Sequence, residues 1–177
     1  IGEMLWTLEE TKGRVQMSKL SVNMKEVGRA FSALKKTIMA MNIGSFLGFF
    51  VGILPAAGAT PASLMSYGIT KQLSRNSKEF GSGVPAGVVA PECANNSAST
   101  GSMLPMLTLG IPGSPTTAIL LGGMILWGLT PGPLLFTQQP EFVWGLIGSL
   151  YIANFFTLVL NIALIPAFLM VLRIPFA

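Results

Sequence analysis

The sequence has neither histidine nor aspartate, and its single cysteine is Cys93. A zinc site needs three or four Cys, His or carboxylate ligands, and histidine and cysteine cannot supply them here. A serine–histidine dyad and a pair of catalytic aspartates are excluded as well. Cys93 can form no disulfide within the chain. We therefore expect no enzyme and no bound cofactor.

Charge is also scarce, at 10% of the residues, whereas soluble domains carry about 25%. No charged residue lies between Lys36 and Lys71 or within residues 142–172, and Glu92 is alone within residues 80–140. Uncharged apolar stretches of this length are typical of membrane spans. The composition predicts an all-α, polytopic membrane protein of transmembrane helices, with helices broken by Pro and Gly or re-entrant hairpins.

We predict a single transmembrane domain over residues 1–177, and expect it to be an excerpt of a longer protein because it begins at Ile1 rather than methionine. Its parts are an amphipathic helix at 14–36, a broken helix pair at 37–70, a polar loop plus broken helix at 80–133 (Gly- and Pro-rich loop at 80–91), and a transmembrane helix at 142–165. The amphipathic helix is basic off its apolar stripe, which suits the membrane surface. The alternative is a soluble helix that packs on a partner domain.

The first apolar run, residues 37–54, would span about 27 Å as a helix, close to the roughly 30 Å of a hydrocarbon core. Pro55 and Gly58 then interrupt it, since proline lacks a donor and clashes with the preceding turn. Basic residues flank residues 37–70 on both sides, which places both flanks in the cytoplasm. Either a re-entrant helical hairpin or two full spans with a tight turn fits this pattern.

Three glycines in this run, Gly44, Gly48 and Gly52, recur every four residues. They share one helix face and let another helix approach closely. We interpret this stripe as a packing surface, with substrate contact as the alternative.

A second break, IPGSP at residues 111–115, resembles the first. Paired interrupted helices point to a transporter binding site, because a helix that restarts presents free N–H groups and a positive dipole to an anion. Unwound carbonyls, such as that of Gly110, offer oxygen ligands to a coupling sodium ion. The alternative is that both breaks are only packing kinks. The predicted substrate-binding residues at the breaks are Pro55, Gly58, Thr60, Pro112, Gly113 and Ser114, with Ser63, Thr116 and Thr117 as further hydroxyl donors.

The polar stretch between the breaks contains Glu92, Asn95 and Asn96. Each amide has two donors and an acceptor, which fits a carboxylate or a cation; the alternative is a helix cap. Glu92 is an ionisable residue within apolar sequence, and such residues are often functional. We predict substrate contact by Asn95 and Asn96, and a coupling-ion site at Glu92, Asn95 and Gly110. Glu92 could instead pair with a surface base or cap a helix.

Several motifs resemble those of one family. They are LPAAGAT at 54–60, FGSG at 80–83, PECANNS at 91–97, LTLGIPGS at 107–114 and GLTPGP at 128–133. Their order and spacing resemble the TctA family, the large membrane subunit of tripartite tricarboxylate transporters. Ala56 stands where the family usually has glycine, which weakens any argument for a positive φ there. Cys93 and Ser97 replace small residues.

The resemblance implies a multi-pass protein of the bacterial inner membrane that works with a small membrane subunit and a periplasmic solute-binding protein. It implies uptake of an organic carboxylate such as citrate, driven by an ion gradient of sodium or protons rather than by ATP. The alternative is a passive channel or a structural subunit in the lipid bilayer. We expect no nucleic-acid partner, because the net charge of +4 comes from clusters that flank apolar segments.

Overall fold

The computed structural model describes residue 28 and residues 32–171, and for residues 166 and 168–171 it describes the backbone alone. Residues 32–36 are helical, and the predicted amphipathic helix at 14–36 otherwise lies almost wholly outside the described residues. The elements that follow are α1 (Ile38–Ile53), α2 (Ala59–Leu73), a 3-10 turn (Ser77–Glu79), α3 (Pro85–Gly101), α4 (Met103–Leu109), α5 (Pro115–Leu126), α6 (Leu135–Gln138) and α7 (Pro140–Val171). No strand occurs in this part of the chain, so the all-α prediction is confirmed.

The first break separates α1 from α2. Leu54 is extended, with φ −71° and ψ 126°. Ala56 then takes φ 60° and Gly58 φ 70°, so the backbone turns through two left-handed residues before α2 begins. The replacement of glycine by Ala56 therefore does not remove the positive φ, because the turn imposes this conformation although the Cβ makes it costly.

Small residues join α1, α2 and α3. The buried residues of α1 are Ala40, Gly44, Gly48 and Gly52, those of α2 are Ala62, Ser66 and Thr70, and those of α3 are Ala90, Ala94, Ala98 and Gly101. A Cβ built on Gly48 would lie 2.7 Å from the Cα of Ala94, and one on Gly52 would lie 2.7 Å from the Cα of Ala98. The prediction that the glycine stripe packs against a helix is confirmed.

Side-chain hydroxyls tie the same helices together. Ser97 of α3 donates to the backbone carbonyl of Ser45 in α1 at 2.6 Å, and Ser63 of α2 donates to that of Pro91 in α3 at 3.0 Å. Small polar residues and close backbone approach are the usual means by which helices associate in lipid.

Helix α3 begins earlier than expected. Residues 85–91 were predicted as part of a loop, yet α3 starts at Pro85 and continues through Pro91. Proline is favoured at the first helical position because the backbone N–H that it lacks would have no partner within the helix there. The true turn ends at Val84, and Phe80 in it is buried with its ring 5.6 Å from that of Tyr67.

The remaining helices form a second apolar cluster. Its buried members are Met106, Leu107, Met124, Leu135 and Val143, drawn from α4, α5, α6 and α7. The segment Pro140–Ile165 of α7 is the one helix among the described residues that is long and apolar enough to cross a membrane, and it contains the predicted span at 142–165. Most of its side chains are exposed, so apolar surface remains uncovered on α7.

Candidate functional site

A cavity of about 490 Å³ is lined by residues of α3, α4, α5 and α7. Its polar lining consists of Asn96, Ser99 and Thr100 from α3, Ser114, Thr116 and Thr117 from the start of α5, and Asn154 from α7. Apolar side chains such as Met103 and Leu150 complete the wall. No lining residue is charged, so any electropositive character must come from backbone and side-chain dipoles.

The beginning of α5 supplies such a dipole. Ser114 is the N-cap residue, and its hydroxyl accepts from the Thr117 N–H at 3.2 Å while its own N–H donates to Thr117 Oγ1 at 2.9 Å. This reciprocal pair fixes the direction of the helix start. Pro115 has no N–H, so Thr116 presents the first-turn donor that has no acceptor within the helix.

Close packing holds this helix start against the three-helix unit, which consists of α1, α2 and α3. A Cβ on Gly113 would lie 2.8 Å from the Cβ of Ser102 and 3.0 Å from the carbonyl oxygen of Gly52. Ser102 Oγ lies 3.4 Å from Ser114 Oγ. The second break therefore lies beside the end of α1, and only glycine fits at position 113.

On α3, the polar wall of the cavity follows one helix face. Ser99 and Thr100 follow Asn96 by three and four residues, which is the spacing of one helical stripe, and apolar Met103 at the start of α4 continues the lining beyond α3. The Asn96 amide donates to the carbonyl of Glu92 at 2.9 Å, and Thr100 Oγ1 donates to the carbonyl of Asn96 at 3.3 Å. One donor and the acceptor oxygen of the Asn96 amide have no partner in these bonds, and this side chain lines the cavity.

The cavity contains only part of the predicted site. Among the predicted binding residues, Asn96 and Ser114 line it, and the further donors Thr116 and Thr117 do too, while Pro112 and Gly113 lie next to it in sequence without lining it. Pro55, Gly58 and Thr60 lie at the other break and do not contribute to the lining.

The predicted coupling-ion residues do not converge either. Glu92 and Asn95 do not line the cavity. Gly110 ends α4 in the left-handed conformation, with φ 71°, and its backbone packs toward Pro131. Asn95 and Asn96 are about 100° apart around the helix, and of the two only Asn96 lines the cavity.

Two features of this lining were missed from the sequence. Asn154 is one of the few amides in the long uncharged run that forms α7, and a polar side chain in such a run is a functional signal. The stripe formed by Asn96, Ser99 and Thr100 was also detectable, because its spacing of three and four residues is helical.

A family model described as the tripartite tricarboxylate transporter TctA family matches residues 1–177. The chain belongs to this family. This TctA-family chain is 46% identical over 129 residues to an "uncharacterized protein in TAR-II ttuC' 3'region" of Agrobacterium vitis, a match over 73% of the chain and 53% of that protein. It is 44% identical over 133 residues to an "uncharacterized 52.8 kDa protein in TAR-I ttuC' 3'region" of the same organism, over 75% of the chain and 26% of that protein.

The chain thus covers about half the length of one of these relatives and about a quarter of the other. No solved structure matches it. The family is one of transporter subunits and not of enzymes. The TctA-family motifs at residues 91–97 and 107–114 lie in α3 and around the second break, the two parts of the chain that supply Asn96 and Ser114 to the cavity.

Proposed function

We propose that this TctA-family chain is part of a multi-pass membrane subunit of a secondary active transporter in the bacterial inner membrane. The transporter takes up tricarboxylates such as citrate, or related organic acids, by symport with an ion, most simply sodium. A periplasmic solute-binding protein delivers the substrate, and a small membrane subunit completes the assembly.

The observation that carries this proposal is the neutral polar cavity at the start of α5. Its volume of about 490 Å³ falls within the range of small-molecule sites, roughly 300–1,000 Å³. Amides, hydroxyls and a helix N-terminus converge on it, while apolar residues form the rest of the wall. Helix N-termini at a break bind anionic substrate groups in several transporter folds.

We assign the roles from the atoms available. A substrate carboxylate accepts from the Thr116 N–H, the Thr116 hydroxyl and the amide N–H groups of Asn96 and Asn154. A sodium ion takes oxygen ligands from the same amides and from the carboxylate. Because no lining residue is charged, an anion that enters alone has hydrogen bonds but no opposite charge to offset its desolvation cost. A cation that enters with it lowers this cost, which couples the two fluxes.

The test is uptake of radiolabelled citrate into proteoliposomes that carry the full-length protein with its small subunit and binding protein. An imposed sodium gradient should drive accumulation above equilibrium. Equilibration without accumulation would indicate a passive channel, and no uptake of citrate or of the ligand found on the binding protein would indicate a structural subunit.

Asn96→Ala and Asn95→Ala form a matched pair for the site itself. Both remove an amide from adjacent positions of α3, and only Asn96 lines the cavity. A hydrogen bond to a charged group contributes about 1.5–3 kcal/mol, so Asn96→Ala should lower kcat/KM for uptake about tenfold or more. Asn95→Ala should stay within about twofold of the parent. Equal effects of the two variants would contradict this assignment of the cavity.

A further inference from the structure

A second cavity, of about 420 Å³, lies at the opposite end of the three-helix unit. The cavity is lined by residues just before α1, just after α2 and at the start of α3, such as Lys36, Arg75 and Ala86 in that order. Because α3 begins here and lines the first cavity only from Asn96 onward, the two cavities are separate.

This second cavity is positively charged. Lys36 and Arg75 line it, Thr37 and Ser74 add hydroxyls, and no lining residue is acidic. The N-terminal end of α3, at Ala86, adds the positive end of a helix dipole. Several donors around one space, two of them cationic, favour a ligand with a multiply accepting anionic group such as a phosphate.

A buried hydroxyl without a partner lies in the same wall. Thr70 is 5% exposed, and its Oγ1 is buried and makes no hydrogen bond within the described part of the chain. Buried polar side chains almost always have a partner. Among the described residues, the Thr70 hydroxyl is therefore a donor without an acceptor in the wall of the basic cavity. This observation points to a ligand with an acceptor group and does not depend on the charge of Lys36 and Arg75.

The cavity also has an apolar side. Met39 and Ile43 of α1 and Leu73 of α2 line it, and Met39 and Leu73 are each more than half exposed. The lining therefore suits a ligand with an anionic end for Lys36 and Arg75 and an apolar part for the α1 side. A soluble phosphate or carboxylate would leave this apolar wall unused.

We propose that this cavity binds an anionic phospholipid, with its headgroup phosphate between Lys36 and Arg75, Thr70 donating to it, and an acyl chain along Met39 and Ile43. The proposal relies on the membrane location in the proposed function and is independent of transport. It assigns this end of the three-helix unit to the depth of the lipid headgroups, where basic residues attract anionic lipids.

The test titrates phosphatidylglycerol into the delipidated full-length transporter complex in neutral detergent and counts bound lipid by native mass spectrometry. Phosphatidylcholine, whose phosphate is neutralised by choline, is the lipid control. Inorganic phosphate without lipid, at matched ionic strength, tests a soluble anion as the source of the phosphate.

Two double variants remove the same charge at different places. Lys36→Gln with Arg75→Gln removes the basic groups that line the cavity, while Lys71→Gln with Lys78→Gln removes two that do not line it, and all four side chains are exposed. Each basic group near an anionic lipid contributes about fivefold in affinity, so the first pair should weaken phosphatidylglycerol binding about thirtyfold. The second pair should change it less than about twofold.

Further variants show whether a loss of binding comes from the missing groups or from misfolding. Lys36→Arg with Arg75→Lys keeps both charges and should keep binding, and Thr70→Val keeps the shape of the side chain and should weaken binding about fivefold. Equal losses in the two double variants would show a diffuse basic surface and overturn the proposal. So would the absence of a saturable phosphatidylglycerol site, equal binding of phosphatidylcholine, or binding of inorganic phosphate as tight as that of the lipid.

Discussion

Gly48→Ala should push α1 and α3 apart. The new Cβ would lie 2.7 Å from the Cα of Ala94, and ordinary contact begins at 3.4 Å, so the helices must separate by at least about 0.7 Å. The obstacle is backbone, which cannot rotate away as a side chain can. Overpacking costs about 1–3 kcal/mol, here at the upper end, and alanine returns about 1 kcal/mol of helix propensity. We expect a net loss of about 2 kcal/mol in the free energy of unfolding.

The matched control is Gly68→Ala in α2. Gly68 belongs to the same three-helix unit, and a Cβ built there meets nothing within 4 Å. The gain in helix propensity from glycine to alanine is the one effect at this position, so this variant should be as stable as the parent or more stable by up to about 1 kcal/mol.

Thermal denaturation of the full-length protein in detergent, followed by tryptophan fluorescence, compares the two variants. The apparent Tm of Gly48→Ala should fall by several degrees while that of Gly68→Ala holds or rises. Equal Tm values would refute the close packing of α1 on α3, since a Cβ at position 48 would then have found room.

Two other substitutions test the local geometry. Ala56→Gly should stabilise the protein by about 0.5–1 kcal/mol, because Ala56 has φ 60° and this conformation costs a residue with a Cβ about 1–2 kcal/mol, part of which is offset by the greater flexibility of glycine in the unfolded chain. The control is Ala57→Gly, which lies outside the left-handed region and should destabilise the protein. The opposite order of the two Tm values would contradict the turn geometry. Ser97→Ala should lower the free energy of unfolding, measured by chemical denaturation, by about 1 kcal/mol, because it removes the 2.6 Å hydrogen bond to Ser45 in α1. Ser149→Ala removes only a hydrogen bond within α7 and should have a smaller effect. A larger effect at Ser149 would contradict the contact between α1 and α3.

Features governed by local chemistry were predictable from the sequence. The break between α1 and α2 follows from Pro55 and Gly58, which act on the backbone at their own positions. The length of α7 follows from an uncharged run long enough to cross a membrane. The glycine stripe of α1 predicted a closely packed neighbouring helix, because its four-residue spacing places the glycines on one helix face.

Features that depend on orientation between helices were not predictable in the same way. Asn96 lies two residues from both Ala94 and Ala98, which puts it nearly opposite the stripe that packs on α1. It therefore faces away from α1, toward α5 and α7. Asn95 is chemically identical and lies one position away, so the sequence alone gave no reason to separate them. The start of α3 at Pro85 was missed because proline both opens and interrupts helices.

The interlocked backbones of α1, α2 and α3 determine where this protein can bend. Nothing larger than threonine is buried on these helices, so there are no long side chains whose rotamers could change to let one helix slide on another. The three helices should therefore move as one body, about 24 Å long for the 16 residues of α1. The helix break at residues 110–114 is packed against the same body, because Gly113 lies against Ser102 and Gly52. The start of α5 should therefore move together with Asn96, and a change in the width of the cavity has to come from α7, which supplies Leu150 and Asn154 to it.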